Sequence, residues 1–267
     1  MRPTRVPKFI KALAHYTNEE KIALIQEQNK KLLKGAPEVT VVVPAYNEEK
    51  EILNTLITMT ANVTSRSVEI LVVNNNSTDR TKELVDATGV RCIDEFEKGV
   101  TAARTSGLKA AKGKYIINAD ADSLYPPFWV NAMISPLEKS DEIALAYGRF
   151  AFLPSGSNSR FVYFLYENVA DILRWFKKHF KEEGMNVYGC NSAFRKEHCL
   201  AVNAFEHPPG TNEDGWLAVK LRNGGFGKLK YVGGNKATVW TVDRHLQNDG
   251  GLLKAFVMRI KNAITGK

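Results

Sequence analysis

Tyr115-Ile-Ile-Asn-Ala-Asp-Ala-Asp-Ser123 is a short β-favouring run that ends in two carboxylates, Asp120 and Asp122, and Pro126 and Pro127 stop its continuation. Read as extended backbone, alternate side chains share a face, so the two acids point the same way with Cα atoms roughly 7 Å apart. Two such carboxylates can share one hard divalent cation, and that cation can neutralise a diphosphate. For Asp-x-Asp alone the plain alternative is a polar turn capped by aspartates. The flanking sequence decides between them.

Working back from Tyr115, the same pattern recurs. Val39-Thr-Val-Val-Val43 is a largely apolar strand of the buried parallel type and runs into the polar corner Pro44-Ala-Tyr-Asn-Glu-Glu49. Ile52, Leu53, Leu56, Ile57 and Met59 follow at helical spacing. A second strand, Val68 to Val73, meets Asn74-Asn-Asn-Ser-Thr-Asp79, and helix resumes with Leu84, Val85 and Ala87. A third short strand is expected at Val90 to Ile93, then a helix from Gly99 to Ala111 whose Ala and Gly content suits close packing on a sheet. Strands alternating with helices at this spacing predict a parallel, right-handed α/β sheet with ligands beyond the strands' carboxyl ends. The corners after Val43, Val73 and Asn118 therefore converge on one expected site.

Forward of Pro127 the pattern loosens. Ile143 to Phe152 reads as one long strand, Phe161 to Phe180 as an amphipathic helix, and Val187 to Phe194 as another strand. Asn212 is a good N-cap for a helix that opens with Glu213 and Asp214, since a helix N-terminus favours carboxylates. Late strands are expected at Val232 and at Ala237 to Val242, then a basic amphipathic tail from Gly251 to Lys267. At the other end, Thr17 with Glu20 forms a capping-box start for a helix from Asn18 to Lys34. The expected organisation is a helical appendage over residues 1–37, a catalytic domain over 38–245 and the tail over 246–267.

Length and composition fit this frame. A chain of 267 residues with 44% hydrophobic content has ample material for a globular core. Its net charge of +8 suits an anionic partner: a phosphorylated small molecule, an acidic membrane surface or nucleic acid. Nucleic acid is not expected, because the basic residues are scattered and no aromatic-basic RNA pattern is present. Cys92, Cys190 and Cys199 are odd in number without CxxC spacing, which argues against a disulfide framework or a zinc site and for reduced thiols in a cytoplasm. No run approaches the roughly 18 apolar residues of a span, and the basic N-terminus lacks a signal-like apolar region. The segment from Phe161 to Phe180 and the tail are each bulky on one side and basic on the other, which fits either core packing or peripheral contact with the inner face of a membrane.

Four stretches in order, Val41-Val-Val-Pro-Ala-Tyr-Asn-Glu-Glu49, Val72-Val-Asn-Asn-Asn-Ser-Thr-Asp-Arg-Thr81, Asn118-Ala-Asp-Ala-Asp122 and Glu213-Asp214 before Gly-Trp, resemble family 2 glycosyltransferases of the GT-A fold. The link from Gly99 to Tyr115 resembles that family as well, and the likeness spans about Val39 to Val232. The resemblance implies a Rossmann-like nucleotide-binding mixed sheet flanked by helices. It also implies transfer of a sugar, with inversion, from a nucleoside-diphosphate donor to a carbohydrate or lipid-linked hydroxyl. Asp120 and Asp122 would hold Mn²⁺ or Mg²⁺, with Asp122 the more direct ligand. Pro44, Tyr46 and Glu48 would border the nucleotide, with Tyr46 against the base, and Asp214, or Glu213 beside it, would be the general base.

Where the family's second stretch usually carries acids, this chain has Asn74 and Asn75, and an amide can accept from uracil or, flipped, donate to another base. UDP is the preferred donor nucleotide on this reading. Arg244 falls where a late basic residue could reach the diphosphate, and His245 could be a further metal ligand. Tyr188, Asn191 and Trp216 are the acceptor-side candidates. Two rival functions stay open: an inactive scaffold subunit, and a sugar nucleotidyltransferase, against which the absence of a Gly-rich basic loop after Val43 counts.

Overall fold

The computed structural model of the chain describes residues 2–154 and 159–242. Lys8–Ala12 (α1) and Asn18–Leu32 (α2) precede the sheet. The capping box expected at α2 is closed: Thr17 Oγ1 accepts the Glu20 N–H at 3.3 Å while Glu20 Oε2 accepts the Thr17 N–H at 2.8 Å. Ile25 and Leu32 of α2 are buried with residues of the main sheet.

The repeated strand and helix units follow as Val39–Ala45 (β1), Ile52–Thr60 (α3), Val68–Asn74 (β2), Thr81–Ala87 (α4), Arg91–Asp94 (β3), Val100–Ala110 (α5) and Tyr115–Asn118 (β4). Strand β1 pairs in parallel with both β2 and β4, and β2 with β3. Its valines serve two layers, Val39, Val41 and Val43 on the α3 side and Val42 on the α5 side. Burial on both faces is why the run shows no alternation. A Cβ on Gly107 of α5 would lie 2.3 Å from Val42 Cγ1. The small residues of α5 thus allow the close packing their composition suggested.

Beyond β4 come Ser123–Leu124 (β5), Trp129–Lys139 (α6), Ile143–Tyr147 (β6), Arg149–Phe152 (β7), Arg160–Phe180 (α7), Ser192–Arg195 (β8), Lys196–Ala201 (α8), Glu213–Asn223 (α9), Lys228–Tyr231 (β9) and Thr238–Thr241 (β10). The main sheet runs β3-β2-β1-β4-β8-β6-β9, and a smaller one runs β5-β10-β7. Strand β8 is antiparallel to both neighbours, which makes the sheet mixed. Helices cover both faces, as α3 and α6 join the first core layer while α5 and α9 join the second.

Several expectations for this half are corrected. The single strand over 143–152 is two strands that break at Gly148 and enter different sheets. The break is held from outside: Gly148 N–H donates to the Asn191 carbonyl at 2.9 Å, and Asn191 Nδ2 donates to the carbonyls of Arg149 and Ala237 at 2.9 and 2.7 Å. The strand expected over 187–194 begins only at Ser192, because Gly189–Asn191 forms a 3-10 turn. Val232 lies just past β9 rather than within a strand. Helix α6 was not anticipated at all. It carries Pro136 inside and buries Trp129, Met133, Ile134 and Leu137 on one side. The tail over 246–267 lies outside the described residues. Among the described residues no helix is long and apolar enough to cross a membrane.

Candidate active site

The first two polar corners are stapled to each other. Asn47, in the left-handed region at φ 55°, donates its N–H to Ser77 Oγ at 3.1 Å and accepts the Thr78 N–H on Oδ1 at 2.8 Å. Glu48 N–H donates to Thr81 Oγ1 at 2.7 Å and Glu49 N–H to Asp79 Oδ2 at 3.1 Å. Tyr46 is left standing 59% exposed, so it is no core aromatic. The third corner differs from its expected form. Strand β4 ends at Asn118, and Asp120 and Asp122 sit in the following loop and turn, so strand alternation does not set their direction. The Tyr125 hydroxyl accepts the Asp120 N–H at 2.8 Å and holds this loop instead.

These corners and the start of α9 enclose a cavity of about 870 Å³. Its wall includes Pro44, Tyr46, Glu48, Asn75, Asp120, Asp122, Glu213 and Asp214, which the sequence had singled out. Asn212 caps α9 by accepting the Gly215 N–H at 2.6 Å, and this turn delivers both acids to the cavity. Asn118, fully buried at the end of β4, donates through Nδ2 to Asp214 Oδ1 at 3.0 Å.

Arg104 of α5 is the residue that sequence reasoning missed. It is buried to 2% exposure and reaches Asp120 Oδ1 at 3.1 Å, Glu213 Oε1 at 3.4 Å and Asp214 Oδ2 at 3.7 Å. Burial alone would weaken its hold on the proton, but attraction from Asp214, Asp120 and Glu213 outweighs this and raises the guanidinium above its ordinary value. The acids do not gain as much in return. Desolvation pushes Asp214 up to about 7, with Arg104 opposing and Glu213 and Asp120 reinforcing the rise. Asp120 is raised too, chiefly by desolvation against the pull of Arg104. Its carboxylate opens to cavity water, with 43% of the side chain exposed, so it is the most screened of the three. Among the described residues, Nη1 of Arg104 is a buried donor with no hydrogen-bond partner. The only local signal was one arginine in a helix rich in small residues; two of its three partners, Glu213 and Asp214, lie more than 100 residues away in sequence.

Asn75 plays a more structural part than expected. Its Oδ1 accepts the Gly99 N–H at 2.9 Å and its Nδ2 donates to the carbonyls of Glu95 and Glu97 at 3.1 and 2.6 Å. A flipped amide would set oxygen against two carbonyls, so the switch in base preference envisaged for it is closed. Tyr188 lines the cavity beside Phe150, Phe152 and Gly189. Asn191 does not, since it is spent on the joint at Gly148 and on Trp129 Nε1 at 2.8 Å. Trp216 is also absent from the wall. Arg244 and His245 lie outside the described residues, whereas Thr241 and Val242 just before them reach the cavity. The cysteines are free, with Cys190 and Cys199 buried and their thiols pushed up by burial.

The described wall carries five carboxyl groups, those of Glu48, Asp120, Asp122, Glu213 and Asp214, against the cations of Lys98 and Arg104. A diphosphate entering such a wall needs an additional cation, and paired carboxylates are the oxygen donors a hard divalent ion takes. The residues present therefore fit Mn²⁺ or Mg²⁺, although among the described residues no cluster of three His, Cys, Asp or Glu side chains is preformed for a metal.

A parallel βα unit whose strand ends meet in an acid-lined cavity defines the nucleotide-binding class of α/β fold. The chain belongs to glycosyl transferase family 2, whose profile matches residues 40–204. It is 32% identical over 117 residues to an uncharacterized glycosyltransferase of Haemophilus influenzae, covering 42% of this chain and 36% of that one. It is 28% identical over 123 residues to the Escherichia coli UDP-Glc:alpha-D-GlcNAc-diphosphoundecaprenol beta-1,3-glucosyltransferase WfgD, covering 45% and 48%. The matched stretch thus spans a third to a half of these relatives. The fold resembles mannosyltransferase PcManGT from Pyrobaculum calidifontis, solved with GDP-Man and Mn²⁺, at a TM-score of 0.58 and 19% identity over 95% of this chain and 74% of the other. The fold is accordingly of the GT-A type.

Proposed function

We propose that the protein transfers one sugar, with inversion, from a nucleoside-diphosphate sugar, UDP-linked by preference, to a hydroxyl on a carbohydrate or lipid-linked acceptor. The observation that carries this reading is the meeting of Asp120 and Asp122 with a buried Asp214 in one cavity. Asp214 takes the proton of the acceptor hydroxyl, whose oxygen bonds to the anomeric carbon as the bond to the diphosphate oxygen breaks. Asn118 and Arg104 fix the Asp214 carboxylate for that task. Asp122 and Asp120 would hold the divalent ion, which supplies neutralisation of the departing diphosphate when bound. Tyr46, exposed and lining the cavity, would stack on the base. UDP is favoured over GDP because the WfgD relative uses a UDP sugar, while the GDP-Man of the structural neighbour makes GDP the necessary comparison.

Calorimetric titration of UDP, GDP and CDP with and without Mn²⁺, on the wild type and on Asp122→Ala, tests the reading. Metal-dependent UDP binding that the substitution abolishes is the expected result. Tighter binding of GDP or CDP would overturn the choice of base, and no binding of any nucleotide would leave an inactive scaffold.

A further inference from the structure

Helix α7 is built inside out. Its inward face carries charges: Arg160 pairs with Glu167 at 2.7 Å, and Asp171 takes Arg2 at 2.7 Å, Arg149 at 3.4 Å and also Arg174. Arg2, Arg160 and Glu167 are all buried. Tyr163 and Tyr166 pack from the same face on Phe152 of the cavity wall, and Arg174 stacks over Phe150 and Tyr188. The opposite face carries the bulk apolar side chains. Phe161, Leu165, Ile172 and Phe176 recur at helical spacing along one line, flanked by Trp175 and Phe180, and every one is at least half exposed, up to 71% for Phe180. Rotating the helix to bury them would drag the Arg160, Glu167 and Asp171 network into water and break buried pairs, which is strongly unfavourable. The outward stripe is a fixed feature, about 30 Å long at 1.5 Å per residue.

We infer that this stripe docks the protein on an anionic lipid bilayer. Both acids of the helix, Glu167 and Asp171, are engaged inward, so the apolar stripe carries no acid of its own helix; at the C-terminal end Lys178 is paired with Glu183 at 2.9 Å and the neighbouring Glu182 with Arg222, while Lys177 and Lys181 add positive charge. A second copy of the chain would meet that basic end with no acid from the same helix. Anionic headgroups match it, and a stripe of Phe, Trp and Leu that ends at lysines is a composition that lies in the headgroup and acyl boundary. The same helix backs Phe150, Phe152 and Tyr188, so docking sets the acceptor side of the cavity beside the lipid surface. The surface stands on packing and charge rather than on the nucleotide chemistry, so lipid binding and sugar transfer can fail separately.

The test is co-sedimentation of the full chain, without donor or metal, with vesicles of phosphatidylcholine alone or with one third phosphatidylglycerol. The wild type is expected to bind the anionic vesicles, and Ile172→Gln with Phe176→Gln to weaken that binding at least tenfold at an unchanged unfolding midpoint. Lys177→Gln with Lys181→Gln, which leaves the Lys178–Glu183 pair intact, is expected to remove most of the preference for anionic lipid. A wild type that stays in the supernatant with both vesicles overturns the inference, as does a Gln double variant that binds as well as the wild type. A wild-type dimer that the Gln double variant converts to monomer would assign the stripe to a second copy and overturn it equally.

Discussion

Replacing Arg104 with methionine keeps most of the side-chain volume and removes the charge that three carboxyl groups share. At separations of 3.1, 3.4 and 3.7 Å and an effective dielectric near 20, each contact is worth about 5 kcal/mol gross. Most of that is offset by desolvation, and the Asp120 share is screened by cavity water. The net loss expected for Arg104→Met is therefore that of breaking one buried pair, about 3–5 kcal/mol, a large part of the usual stability of a domain. The loss has a definite pH dependence. Asp214 has a folded value of about 7, above the roughly 3.9 of an unfolded aspartate. Its neutral form is favoured by the fold, so stability is fully present below pH 4 and declines as pH rises through the folded value. Without Arg104 that value rises further, and the deficit of the variant must be greater at pH 8 than at pH 5.5. Urea unfolding at the two pH values, with Arg104→Lys as the charge-retaining control, measures this. Equal deficits at both pH values, or a loss below about 1 kcal/mol, would refute the picture of a guanidinium compensating buried acids.

Gly189 presents the same cluster from the other side: a Cβ there would lie 1.9 Å from Arg104 Nη2 and 2.3 Å from Asp214 Oδ2. Gly189→Ala is expected to cost about 1–3 kcal/mol of stability and to cut transfer at least tenfold while nucleotide affinity stays near wild type, as read by unfolding, kinetics and calorimetry. Because Asp214 must be ionised to accept a proton, transfer should rise with pH and level off above about 7. Asp214→Asn should abolish that limb and lower kcat by 10²- to 10⁴-fold, the usual range for a lost general base. Tyr46→Ala should weaken nucleotide binding by about 0.5–1.5 kcal/mol, the worth of an aromatic stacking pair, without moving the unfolding midpoint.

The first half of the fold was legible because its elements are local. Strands β1 and β2 are buried on both faces and so are written as apolar runs, and their corners carry polar residues at fixed offsets from the strand ends. The cavity was legible for the same reason, since Asp120, Asp122 and Asp214 all stand at such boundaries. The second half depends on partners distant in sequence. Nothing near Gly148 states that Asn191 will split the strand there, and Pro126, Pro127 and Pro136 mask the apolar periodicity of α6. Arg104 is the sharpest case, because its meaning lies in acids contributed by β4's loop and α9. The period of α7 was readable from Phe161 onward, but a period gives only the existence of an apolar stripe; which face turns inward was decided by Arg2 and Arg149, outside the helix.

The place of β8 between β4 and β6 also bears on how the chain is made. Strands β1 to β4 can assemble from neighbouring sequence, yet the outer edge of β4 finds its partner only when residues 192–195 arrive. Until then a nascent chain displays a hydrophobic row, Tyr115 to Ile117, with unpaired peptide groups beside it. At synthesis rates of roughly 5–20 residues per second that interval lasts several seconds. It marks the period in which a holdase chaperone, or a mispaired neighbour on the same polysome, has its opportunity.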